Sequence, residues 1–157
     1  MGKIFSIICL SAFTYFSDYQ PRINDGSLQD VLDQYYTLGE ALADSNGQKV
    51  KAALVKFSAV VEKTRYSQLI SETKLIAKVE SIAEIRKFYH KISLLLRRKI
   101  PFDESLEEPV FVMNCRSINS DSSGIWLSDN KKIRNPYSTF SNASCGNIIE
   151  VVKPMVR

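Results

Sequence analysis

The sequence predicts a mainly α protein, an antiparallel three- to four-helix bundle with a small C-terminal β element. Two observations carry this. Between Leu28 and Leu96 the apolar residues recur three and four positions apart, which places them on one face of each helix. After Pro101 that period stops, and short runs of β-branched and aromatic residues alternate with turn residues. A chain of 157 residues is the size of one domain with its own core.

The first helix is expected to open at Ser27, which forms a capping-box pair with Asp30 just before an apolar run. Leu28, Val31, Leu32, Tyr35, Leu38 and Leu42 make its stripe. It should end at Ser45-Asn46-Gly47, where glycine can take the left-handed conformation. A second helix from about Gln48 carries Val50, Ala53, Leu54, Phe57, Val60 and Val61. The stretch from Tyr66 to Val79 reads as a third, shorter or bent helix. Ser81 and Glu84 repeat the capping-box pattern ahead of Ile82, Ile85, Tyr89, Ile92 and Leu96. That last helix should stop before Pro101, because the residue preceding a proline disfavours helix. Amphipathic helices with short joins pack as antiparallel neighbours.

Beyond an acidic linker from Phe102 to Pro109, strands are expected at Val110–Met113, Ile125–Leu127 and Ile148–Val152. The segment 102–157 is too small for a core of its own, so it should pack on the helices. At the other end, Lys3 precedes the apolar stretch from Ile4 to Phe13, and polar residues follow by Ser17-Asp18. This is the layout of a secretory signal peptide over residues 1–17, with 18–26 as a linker and 27–157 as the domain. The apolar stretch is shorter than the roughly 20 residues a membrane span needs. Ile8 stands where a lipidation site at Cys9 would want a small residue.

The net charge of +4 is mild, and the bases are spread along the chain, whereas nucleic-acid binders concentrate them on one face. Arg97-Arg98-Lys99 falls where the last helix should end, and cations there complement the helix dipole. No Gly-x-Ser-x-Gly, His-Glu-x-x-His, Cys-x-x-Cys or glycine-rich phosphate loop is present, so no enzyme is predicted. His90, the only histidine, sits beside buried positions of the last helix, as a structural histidine would. Trp126 and Asn135-Pro136-Tyr137 read as an aromatic plug and a turn.

Removal of the leader would leave two cysteines, Cys115 and Cys145. In an exported chain an even pair reads first as a disulfide. The second reading is a soft-metal site, since thiolates select copper(I). Two thiolates can hold copper(I) linearly, and a third ligand would come from Met113, His90 or Met155. Met113 and Cys115 are two apart, so on a strand they share a face. Free thiols are the third possibility.

The spacing of these pieces is more specific than any one of them. Cys115, Trp126-Leu127-Ser128, Ile133-Arg134-Asn135-Pro136-Tyr137 and Cys145-Gly146 stand in an order that resembles the C-terminal signature of a bacterial envelope family, domain of unknown function 3347. Tyr35, Leu38, Ala41 and Leu42 resemble its first helix, and Arg86, Tyr89 and Ser93 its Arg-x-x-Phe-x-x-x-Ser pattern. The resemblance runs from about Leu28 to Val152. It implies a periplasmic domain, partners among heavy-metal efflux pump components, and copper or a related metal at the cysteines. Here the signature's proline is Arg116, and its two methionines are Ser117 and Asn142. The glycine expected after Asn-Pro-Tyr is also missing, with Ser138 and Thr139 in its place. A thioether-based metal site is weakened accordingly.

Overall fold

The computed structural model describes residues 26–103, 106, 108–116, 124–138 and 144–153. The signal peptide read over 1–17, nearly all of the linker read over 18–26, and Met155 lie outside the described residues. Four helices are present: α1 Leu28–Ala43, α2 Gly47–Val61, α3 Ser67–Ile76 and α4 Ile82–Lys99. A 3₁₀ turn over Ile100–Phe102 follows, then three strands: β1 Val110–Cys115, β2 Gly124–Ser128 and β3 Asn147–Val152. The strands form one antiparallel sheet in the order β2-β1-β3. All three predicted strands are therefore present, and Pro101 falls just beyond α4.

The α1 capping box forms as read. Ser27 Oγ accepts from the Asp30 N–H at 3.1 Å, and Asp30 Oδ2 accepts from the Ser27 N–H at 3.2 Å. The α1–α2 turn differs in detail. Ser45, at φ 53°, takes the left-handed conformation, and Gly47 is the first residue of α2. The reason is Asn46, whose Oδ1 accepts from the Lys49 N–H at 3.0 Å and starts the second helix at once. The chain must reverse before Asn46, and Ser45 is the residue left to do it. The second capping box does not form. Ser81 occupies the N-cap of α4 without a side-chain bond, and both it and Glu84 are exposed, where water satisfies the same groups.

Helix α1 packs on α2, α2 on α3, α3 on α4, and α4 returns to α1. The sheet is part of the same core. Val112, Met113, Trp126 and Leu127 belong to one buried cluster with Tyr35, Phe57, Ile76, Ile92 and Leu96. Strand β2 lies against α4. Arg97, at the last turn of α4, donates through Nε to Glu150 of β3 at 2.9 Å. Both side chains are substantially exposed, so this pair holds β3 in place without adding much stability. In the β1–β3 pairing Val112 faces Glu150 and Met113 faces Ile148, so Ile149 is an extra, bulged residue. Among the described residues no helix is long and apolar enough to cross a membrane.

The contact between α1 and α4 is built on one glycine. The Tyr35 and Tyr89 rings stack with centroids 4.5 Å apart and planes 6° from parallel. A Cβ on Gly39 would overlap the Tyr89 hydroxyl. Gly39→Ala should gain about 1 kcal/mol of helix propensity and lose more to overpacking, typically about 1–3 kcal/mol, with loss of the Tyr89 hydroxyl's bond to the Tyr35 carbonyl as well. Urea unfolding should show net destabilisation. The second change Tyr89→Phe, which removes the overlapping oxygen, should recover part of it. Additive losses in the double variant would contradict this origin.

Candidate functional site

The signature residues meet where α1, α4 and the sheet join. Asn135 is fully buried, and its Oδ1 accepts from the Tyr137 N–H at 2.9 Å, which closes an Asx turn around Pro136. Its Nδ2 donates to the Cys145 carbonyl at 3.0 Å. The turn drives Tyr137 inward, edge-on to Tyr89, Trp126 and His90, each with centroids 6.1 Å away. The Tyr137 hydroxyl donates to the Ile125 carbonyl of β2 at 2.5 Å.

A directed chain of hydrogen bonds crosses the junction. The Leu127 N–H of β2 donates to Tyr35 Oη at 3.1 Å. Ser93 Oγ donates to the Tyr89 carbonyl at 2.7 Å. That leaves the Tyr35 hydroxyl to donate to Ser93 Oγ, also at 2.7 Å. The Tyr137 hydroxyl lies 3.5 Å from the same Ser93 oxygen. Burial holds these phenols neutral. It pushes Tyr35 up to about 12 and Tyr89 and Tyr137 well above the ordinary tyrosine value.

Arg86 clamps the turn from the helical side. Its Nε donates to the Pro136 carbonyl at 2.8 Å. Its Nη2 faces the Leu42 carbonyl at 3.0 Å, Ser45 Oγ at 2.8 Å and the Ser138 carbonyl at 2.7 Å. These acceptors are carbonyls and a hydroxyl, with no carboxylate among them, and burial lowers the guanidinium's pKa. The Leu42 carbonyl belongs to the last turn of α1, where a cation is favoured by the helix dipole. Arg134, further along the turn, reaches Glu40 at 2.9 Å and Asp44 at 2.6 Å on α1.

Cys115 and Cys145 are joined in a disulfide, with Cα atoms 5.7 Å apart. Cys115 ends β1 and is buried; Cys145 precedes β3 and is held by Asn135. Gly146 then lies on Trp126, where a Cβ would come 2.7 Å from the indole Cη2 and 3.1 Å from Ile133 Cγ2. The other two predicted metal ligands are otherwise placed. Met113 is fully buried in mid-strand, opposite Trp126 and Ile148. His90 Nδ1 accepts from the Ile125 N–H at 3.4 Å, so that nitrogen is turned to the sheet. With both sulfurs bonded to each other, no thiolate is offered to copper. Among the described residues no three His, Cys, Asp or Glu side chains are grouped to hold a metal ion.

Two variants test this junction. Tyr35→Phe leaves the buried Leu127 N–H unpaired and should cost about 1–3 kcal/mol in chemical denaturation. Arg86→Met removes the donor from the Pro136 and Ser138 carbonyls and should cost at least as much. The phenols also fix a pH dependence. Tyr35 is harder to ionise folded than unfolded, so its stabilisation is complete below pH 10 and lost as pH rises towards 12. Tyr35 alone should remove about 2–3 kcal/mol across that window. Urea midpoints measured from pH 8 to 12 should fall in the wild type and fall less in Tyr35→Phe.

Comparison with known proteins gives no assignment: no protein-family model matches the chain, and no curated protein and no solved structure is significantly similar to it.

Proposed function

We propose that this chain is an exported, non-catalytic interaction module of the bacterial cell envelope, whose C-terminal corner is stapled by Cys115–Cys145. The disulfide carries this reading. Such bonds persist in oxidising compartments and are rare where thiols are kept reduced. The leader-like layout of residues 1–17 supports export, and the residue-by-residue resemblance around the disulfide supports a periplasmic location. That resemblance also supplies the partner class, a component of a heavy-metal efflux pump. The four helices act as an antiparallel bundle that offers an outer face to the partner, a reading supported by their short joins and ring of neighbours. The Arg86 clamp and the hydroxyl chain fill the junction with internal bonds, which suits a rigid docking surface.

Non-reducing mass spectrometry of the chain purified from its native compartment tests the reading. The expected mass is that of the oxidised pair, two hydrogens below the reduced chain. A mass with two free thiols would sink it. A copper role would show instead as tight copper(I) binding by reduced protein against a competing chelator, lost in Cys115→Ser. Opening the loop, with a sequence separation of 30, should lower stability by about 3–4 kcal/mol in the chain-entropy treatment. Urea unfolding of Cys115→Ala/Cys145→Ala measures it.

A further inference from the structure

A polar groove of about 380 Å³ separates the outer face of α1 from the end of β2 and the turn after it. Its size is at the lower end for small-molecule sites. Asp33 and Tyr36 line it from α1, and Trp126 and Asp129 from the sheet side. The Glu40–Arg134 ion pair contributes to its lining as well. Its hydrogen-bonding groups are only partly used. Trp126 is 3% exposed overall; its indole N–H has no acceptor among the described residues and is not one of the solvent-excluded polar atoms, so it is open to a ligand. The half-buried Tyr36 hydroxyl has none either. Asp33 Oδ1 accepts from Gln29 Nε2, and Asp129 Oδ1 accepts from Asn130 Nδ2. The second oxygen of each carboxylate has no donor among the described residues.

That inventory selects a ligand chemistry. An anion would meet three carboxylates and one guanidinium. A simple cation would satisfy the carboxylates and leave the Trp126 and Tyr36 donors unpaired. A hydroxyl both donates and accepts, so adjacent hydroxyls can serve both sets at once. We propose that this groove binds a neutral polyhydroxylated ligand, a saccharide unit, whose hydroxyls donate to Asp33 and Asp129 and accept from Tyr36 and Trp126. Burial and the neighbouring carboxylates Asp129 and Asp33 keep the Tyr36 phenol protonated, as a donor must be. None of the groups offered to the ligand is a thiol.

Trp126 is the only tryptophan in the chain and lines the groove, so its fluorescence reports on binding there. The oxidised protein is titrated with glucose, galactose, N-acetylglucosamine and maltose, with spermidine and phosphate as cationic and anionic probes. At least one sugar should give a saturable change. Tyr36→Phe and Asp129→Asn should each weaken it about three- to tenfold, the loss of one hydrogen bond, with an unchanged circular dichroism spectrum. Saturation by spermidine or phosphate without a sugar response would overturn the proposal. So would silence towards every probe, or a sugar response undiminished in both variants.

Discussion

Three buried hydroxyls, on Tyr35, Ser93 and Tyr137, decide how the helices and the sheet of this protein are held together. A buried hydroxyl without a partner costs about 1–3 kcal/mol, so none of the three is tolerable alone. Tyr35 donates to Ser93 and accepts from the Leu127 N–H of β2, Ser93 donates to the Tyr89 carbonyl, and Tyr137 donates to the Ile125 carbonyl of β2. The bonds join residues 58 and 92 positions apart, so they exist only when α1, α4 and β2 are all in place. Gly39 is the sequence's concession to this arrangement, because the stacked Tyr35 and Tyr89 rings need the space a side chain would fill.

The same junction explains the C-terminal corner. Asn135 holds the Cys145 carbonyl through Nδ2, while its Oδ1 fixes the turn that inserts Tyr137. The disulfide, the Asx turn and the Gly146–Trp126 contact therefore constrain one small region by three independent means. Arg86 adds a fourth from the helical side. A site meant to take up and release a soft metal needs available thiolates and ligands free to adjust. Here the sulfurs are bonded, Met113 is packed in mid-strand and His90 faces a backbone N–H. The corner suits stable presentation of a surface, and the partly unsatisfied groove beside it is where recognition has unused hydrogen-bonding capacity.

Much of the architecture is legible in local pattern. The stripe from Leu28 to Leu42 and the Ser27–Asp30 box are adjacent in the chain, and both are found as read. Each strand is a short apolar run flanked by turn residues, and all three are present. The Ser81–Glu84 box shows the limit of the same reasoning, since an exposed pair can be satisfied by water as well as by a cap. The Ser45 reversal depends on Asn46 starting a helix, a competition between neighbours that composition does not reveal. Arg86 could be singled out by resemblance, but its acceptors are mostly backbone carbonyls, which carry no side-chain signature. Trp126 and Tyr137 were visible as an aromatic plug, while the hydroxyl chain around them required the tertiary structure.

The coupling of helices to sheet is tested most directly by native-state hydrogen exchange at the Leu127 amide, which donates to Tyr35 across the junction. If the hydroxyl chain binds the two parts into one cooperative unit, this amide opens only with global unfolding, at the same free energy as the Ile92 amide in mid-α4. Exchange of Leu127 by a lower-energy local opening, with α4 still protected, would show the sheet to be a separate and looser element.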